Sequence, residues 1–163
     1  MIQVMDLAEV PNKQAAEWLV GLAEDLRQTD LDEIAAHTGD DPAVALISSV
    51  MVSTHAWVIL DGDDPIAAFG CAPSGAPGDA QVWMLGADAM DRPANAAGIL
   101  RLSRPYLDEM QRTYARLWNH IDARNDRSMR WLEWCGFTVN EAVPDFGVEK
   151  RLFFLFSRHR PSV

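Results

Sequence analysis

The chain has 163 residues, 48% of them hydrophobic and 23% charged, and a formal net charge of −10 at neutral pH. That length suits a single domain spanning residues 1–163, one that buries roughly 70% of its unfolded surface. Apolar runs such as 43–52 and 152–156 fall short of the about 20 residues that a membrane span needs, and the acidity argues against general nucleic-acid binding.

Residues 2–5 read as a short strand. Pro11 stands where a first helical turn tolerates proline, and Ala15, Trp18, Leu19, Leu22 and Leu26 then recur at helical spacing. Asp30 followed by Glu33 has the form of a capping box opening a short helix. Asp41 and Pro42 start another, with Val44, Ile47, Val50 and Met51 on its apolar side. The period then changes: 55–60 and 66–72 read as a hairpin across the acidic turn 61–64, and 82–85 as a further strand after a Pro/Gly loop. Pro93 opens a helix reaching about Tyr114, with a kink or break expected at Pro105. Residues 117–123 read as a strand, 128–134 as a short helix, and 137–143 and 152–157 as two closing strands. The strand–helix–strand segment 82–123 needs a crossover and so makes a parallel pair, whereas the hairpin is antiparallel. The expected class is α/β (α+β), a mixed and mostly antiparallel sheet with flanking helices.

Charge divides unevenly. Residues 1–91 hold 2 basic and 16 acidic side chains, a net −14, and residues 92–163 hold 12 basic and 8 acidic, a net +4. A phosphate-bearing ligand should prefer the second half. Cys71 and Cys135 lie far apart, without metal-ligand spacing, and read as reduced thiols. The first ten residues carry no basic region or cleavage pattern, so a cytoplasmic location is expected.

Asn125, Ser128, Gly136 and Phe137 resemble, in register, a pattern of the GNAT N-acetyltransferases: Asn after the fifth strand, Ala or Ser three residues later, and Gly-Phe at the helix end. Gly136 also reads independently as a helix C-cap. The resemblance implies acetyl-CoA as cofactor, fourth and fifth strands that splay apart, and a diphosphate-binding loop after the fourth strand. That loop corresponds to Arg92-Pro-Ala94-Asn95-Ala96-Ala97 and Gly98, in which Asn95 replaces the central glycine of the family pattern. The implied cofactor residues are therefore Arg92, Ala94, Asn95, Ala96, Ala97 and Gly98, together with Asn125 and Ser128. The position of the family's usual tyrosine acid holds Leu132, and its usual glutamate base falls near Trp83 or Met84. Neither a leucine nor those two side chains can exchange a proton in that role. Asp88, His120 and Asp122 remain as catalytic candidates by chemistry alone.

Residues 114–119, 117–125 and 128–137, with Arg101, Arg104, Arg112 and Arg116 before or among them, also resemble the GNAT-like internal virion or assembly proteins of short-tailed bacteriophages. That resemblance implies a role in virion assembly through contacts with phage or host proteins, in the host cytoplasm or the virion, with little acetyl transfer. The alternatives are an active N-acetyltransferase moving acetyl from acetyl-CoA to an amine, and a module that only binds CoA or a nucleotide. No membrane partner is expected.

Overall fold

The order of elements follows from how each segment meets water. The structure, a computed structural model, describes residues 1–162. Strand β1 (Ile2–Asp6) is followed by three helices, α1 (Asn12–Glu24), α2 (Gln28–His37) and α3 (Pro42–Val52). Strands β2 (His55–Asp61), β3 (Asp64–Pro73) and β4 (Asp79–Gly86) then form a meander. A short 3-10 turn over Asp88–Asp91 leads into α4 (Pro93–Thr113), β5 (Arg116–Asp122), α5 (Asp126–Trp134), β6 (Thr138–Phe146) and β7 (Arg151–His159).

The seven strands make one sheet in the order β1-β2-β3-β4-β5-β7-β6. Every neighbouring pair is antiparallel except β4 and β5, which are parallel, as the crossover through α4 requires. The expected mixed sheet with a parallel fourth and fifth strand is therefore present. Apolar residues on both faces of the central strands demand cover on both sides. Leu19, Leu22, Ile34 and Leu46 of α1–α3 pack with Val58, Leu60 and Ala68 on one face. On the other, Leu107, Met110 and Leu132 of α4 and α5 pack with Val82, Leu117, Ile121 and Phe156.

Two local expectations are corrected. Helix α4 runs unbroken through Pro105. Pro105 and Arg101 are both exposed, so water can take the carbonyl that proline leaves unpaired, and packing of Ile99, Leu107 and Met110 holds the helix on either side. Asp30 and Glu33 do not form a capping box. Helix α2 begins two residues before Asp30, with Arg27 at its N-cap, and both acids turn inward to other partners. They stand with Ile34 and His37 at the i, i+3, i+4 and i+7 positions of one helix face, the stripe that faces the sheet.

The C-terminal end of α2 is secured by the β6–β7 turn. Val148 donates its N–H to the carbonyl of His37 at 3.1 Å, and Glu149 donates to that of Ala36 at 3.2 Å. Gly147, at φ +70°, brings the turn so close that an added Cβ would lie 2.8 Å from the Cα of His37. Gly147→Ala is therefore expected to lower stability by about 1–3 kcal/mol, because it adds both left-handed strain and a backbone clash. Urea unfolding beside the parent checks this, and an unchanged midpoint would contradict the packing described.

Candidate functional site

Parallel pairing of β4 with β5 covers only Asp79↔Arg116, Ala80↔Leu117 and Gln81↔Trp118. Beyond these the strands diverge and each presents an open edge. Ala87 donates to the carbonyl of Ile66 on the β3 side at 2.9 Å, which fixes the alternation: Val82, Met84 and Gly86 turn their backbone groups toward the gap. Buried backbone groups need partners, and the chain supplies nearly all of them. Asn119 donates through Nδ2 to the carbonyl of Val82 at 2.7 Å and accepts through Oδ1 from the N–H of His120 at 2.8 Å. Gly86 donates to Asp30 Oδ2 at 2.9 Å and accepts from the N–H of Arg27 at 2.9 Å. Asp122 on β5 donates to Glu33 Oε1 at 2.8 Å. Helix α2 thus braces both open edges, Asp30 holding β4 and Glu33 holding β5. Between them Met84 keeps an N–H and a carbonyl directed at the gap with no partner among the described residues.

The gap belongs to a cavity of about 730 Å³ that reaches both faces of the sheet, well within the size range of small-molecule sites. On the α2–α3 face its walls include Glu33, His37, Ser48 and Trp83, and on the opposite face Ala96, Ala97, Ser128 and Leu132.

Burial of Glu33 raises its pKa to about 7, against the opposing pull of the Asp122 amide. The carboxyl is thus close to half ionised at neutral pH, and only its Oε1 accepts a hydrogen bond from the described residues. Burial likewise raises Asp30, with Arg27 opposing through three contacts of 3.1–3.2 Å. His120 and His37 both pack against Phe146, with ring centroids 4.5 and 4.9 Å from it. Burial lowers both imidazoles, and their mutual repulsion lowers His120 further, so they are neutral near pH 7.

The sequence-derived candidates separate. His120 lines the cavity on the α2–α3 side. Asp122 does not line it: burial would favour its neutral acid, but Arg124 grips it at 2.6–3.2 Å and the pKa falls below the usual range. Asp88 is exposed on the 3-10 turn and is also outside the cavity wall. Ala96, Ala97, Asn125 and Ser128 line the cavity, with Asn125 Oδ1 capping α5 by accepting from Ser128 N–H at 3.2 Å. Arg92 instead lines a smaller cavity of about 350 Å³, together with Asp25, Asp61 and Asp64. Gly98 lies against Ile2, where an added Cβ would come within 2.8 Å of that side chain, so its smallness serves helix–strand packing. Ala94 is exposed at the start of α4.

Asn95, which stands where the family pattern has its central glycine, turns its side chain beneath the helix. Its Nδ2 donates to Asp61 Oδ2 and to the carbonyl of Ala89, both at 3.0 Å. The amides of Ala94 and Asn95 remain free of intrahelical partners at the amino end of α4, Pro93 having none to offer. Ala96 and Ala97 follow them directly and line the cavity, so a helix amino end with free amides, the kind of site that accepts an anion, borders it. No group of three or more His, Cys, Asp or Glu residues among those described could hold a metal ion.

Glu33, Asp30 and Met84 were missed by sequence reasoning. Acids at the inward positions of an amphipathic stripe were the available signal for the first two. A backbone contribution such as that of Met84 leaves no signal at all.

No protein-family model matches the chain, and no curated protein is similar to it in sequence. Solved structures are similar over the whole length. Aminoglycoside 6'-acetyltransferase type Ii shares 17% identity and a TM-score of 0.71, with 100% of this chain and 99% of that one covered. The ribosomal-protein-S18-alanine N-acetyltransferase of Escherichia coli shares 11% and 0.67, covering 100% and 96%. A Bacillus subtilis acetyltransferase in complex with CoA shares 8% and 0.64, covering 99% and 100%. These structures lend no support to the resemblance to phage assembly proteins. Splayed parallel strands, helices on both faces and these whole-length superpositions identify the architecture of the chain as the GNAT acetyltransferase fold.

Proposed function

We propose that the protein is an acetyl-CoA-dependent N-acetyltransferase, and that Glu33 is the general base acting on an acceptor amine. The observation that carries this reading is a half-buried carboxyl with a pKa near 7, set where the cavity crosses the sheet between β4 and β5.

Acetyl-CoA supplies an acetyl group already activated as a thioester. The chain must hold it, admit an amine from the other side and remove a proton from that amine. Ala96, Ala97, Asn125 and Ser128 belong to the α4–α5 side, which is the side for the cofactor. The Met84 N–H is the donor available to an acyl oxygen, and a positioned donor of this kind stabilises developing negative charge. The amine comes from the α2–α3 side, where Asp30, Glu33 and Asp40 line the cavity. An amine arrives as an ammonium ion, and only the neutral form has a lone pair. Glu33, ionised above about pH 7, takes that proton through Oε2 or one intervening water. His120 and His37, being neutral, add no positive charge of their own to the wall of the pocket.

Leu132 offers no proton to the departing thiol, so water must supply it. That absence, with Trp83 and Met84 at the usual position of the base, favours a non-catalytic alternative, in which the fold serves virion assembly through protein contacts or only binds CoA. Turnover separates the readings. CoA release, assayed over a panel of primary amines, should proceed in the parent, with kcat/KM rising through about pH 7 and then levelling. Glu33→Gln should lose that limb and on the order of 10² to 10⁴ in rate. A Leu132→Tyr variant should gain rate if proton supply to the thiol limits the parent. If neither the parent nor Leu132→Tyr turns over any amine, the enzyme reading fails.

Stability gives an independent check on the state of Glu33. A folded-state pKa of about 7 lies above the ordinary value of 4.5. The contribution of the neutral acid is fully present below pH 4.5 and is lost as pH rises through 7. Glutamine keeps an acceptor for the Asp122 amide and never ionises. Glu33→Gln should therefore match the parent near pH 4 and exceed it at pH 8 by up to about 3 kcal/mol, from roughly 1.4 kcal/mol per pH unit. Denaturant unfolding at the two pH values checks this, and equal stabilities at pH 8 would mean that Glu33 has an ordinary pKa.

A further inference from the structure

At the mouth of the cavity one carboxylate oxygen is shared by two arginines from opposite sides. Asp91, the residue before the N-cap of α4, accepts at Oδ1 from Arg27 Nη1 and lies equally close to Arg127 Nη2, 3.3 Å in each case. Asp91, Arg27 and Arg127 all line the large cavity. The two partners differ in mobility. The side chain of Arg27 is 12% exposed and is clamped by Asp30, whereas that of Arg127 is 63% exposed on the first turn of α5. A cation on a first helical turn is opposed by the helix dipole, so Arg127 gains nothing from its own helix and depends on a nearby anion.

A diphosphate held by the Ala94 and Asn95 amides would arrive beside Asp91, like charge against like. Arg92 faces the smaller acidic cavity and is not the cation at this mouth. We infer that Asp91 is a built-in substitute for the cofactor's diphosphate, and that cofactor binding proceeds by exchange: Arg127 leaves Asp91 for the phosphate oxygens. Arg27 stays behind, so the carboxylate is never left without a partner. The inference rests on the acetyl-CoA reading and adds a regulatory property to it. The free protein holds its own phosphate-binding arginine in reserve, which weakens CoA binding and selects against ligands without a multiply charged group. It also assigns Arg127 as a cofactor-binding residue and Asp91 as its competitor.

The two substitutions should act in opposite directions, which a merely structural ion pair cannot do. Calorimetric titrations with CoA, and with acetylpantetheine as a probe that lacks the diphosphate, compare the parent with Arg127→Ala, Arg127→Gln and Asp91→Asn. Removing Arg127 should weaken CoA about tenfold and flatten the salt dependence of its affinity, leaving acetylpantetheine unchanged. Asp91→Asn should tighten CoA several-fold. Thermal melts of each variant report whether folding is kept. If CoA binds and Arg127→Ala, Arg127→Gln and Asp91→Asn all leave its affinity unchanged, or all weaken it, the exchange is overturned and the acetyl-CoA reading stands. If the parent binds acetylpantetheine but not CoA, the assignment of Arg127 fails. If it binds neither, both readings fall together.

Discussion

Two neighbouring strands that stop pairing halfway leave a row of backbone donors and acceptors inside the protein, and the rest of this structure answers that constraint. Leaving one such group buried and unsatisfied costs about 1–3 kcal/mol, so several cannot be left along a single gap. Asn119 bridges the fork where β4 and β5 separate, with one end of its amide on each strand. Farther out the distance is too great for one side chain, and α2 contributes two, one turn apart. The position of α2, its tie to the β6–β7 turn and the burial of Arg27 all follow from bringing those carboxylates to the gap.

The same solution produces reactivity as a by-product. A carboxylate that reaches a strand edge from a helix must cross the interior, where its charged form is poorly solvated. Asp30 has Arg27 to compensate its charge, while Glu33 has an amide and little else. The difference separates two acids only three residues apart: one is a fixed part of the scaffold and the other titrates near neutrality. Structural support and a titratable carboxyl at the gap thus come from one helix face.

Much of the architecture was legible in the sequence. The period change at His55 marked the antiparallel hairpin and the crossover between residues 82 and 123 the parallel pair, whereas the insertion of β7 between β5 and β6 left no local pattern to read. The site was legible only in part. Asn125, Ser128, Ala96 and Ala97, singled out by the family pattern as cofactor residues, border the cavity. Arg92 does not: it lines the smaller cavity with Asp25, Asp61 and Asp64, residues from distant segments whose neighbourhood no local pattern reveals. Asp30 and Glu33 satisfied a helix-capping pattern so well that their inward placement was hidden: spacing cannot tell an acid that caps its own helix from one that reaches across to a strand. Asp91 and Arg127 are 36 positions apart in sequence, and only the fold brings them together.

The two thiols carry a consequence for how the molecule can be observed. Cys71 and Cys135 have 0% and 1% of their surface exposed, and burial pushes both pKa values up to about 11. Alkylating and disulfide-exchange reagents attack thiolates that they can reach, so the folded chain should be silent toward a chromogenic disulfide. Colour formed during turnover would then report the free thiol of CoA with no background from the protein. In denaturant the same reagent would count two new thiols per chain, so a single dye reads both chemistry and unfolding on one molecule without any label.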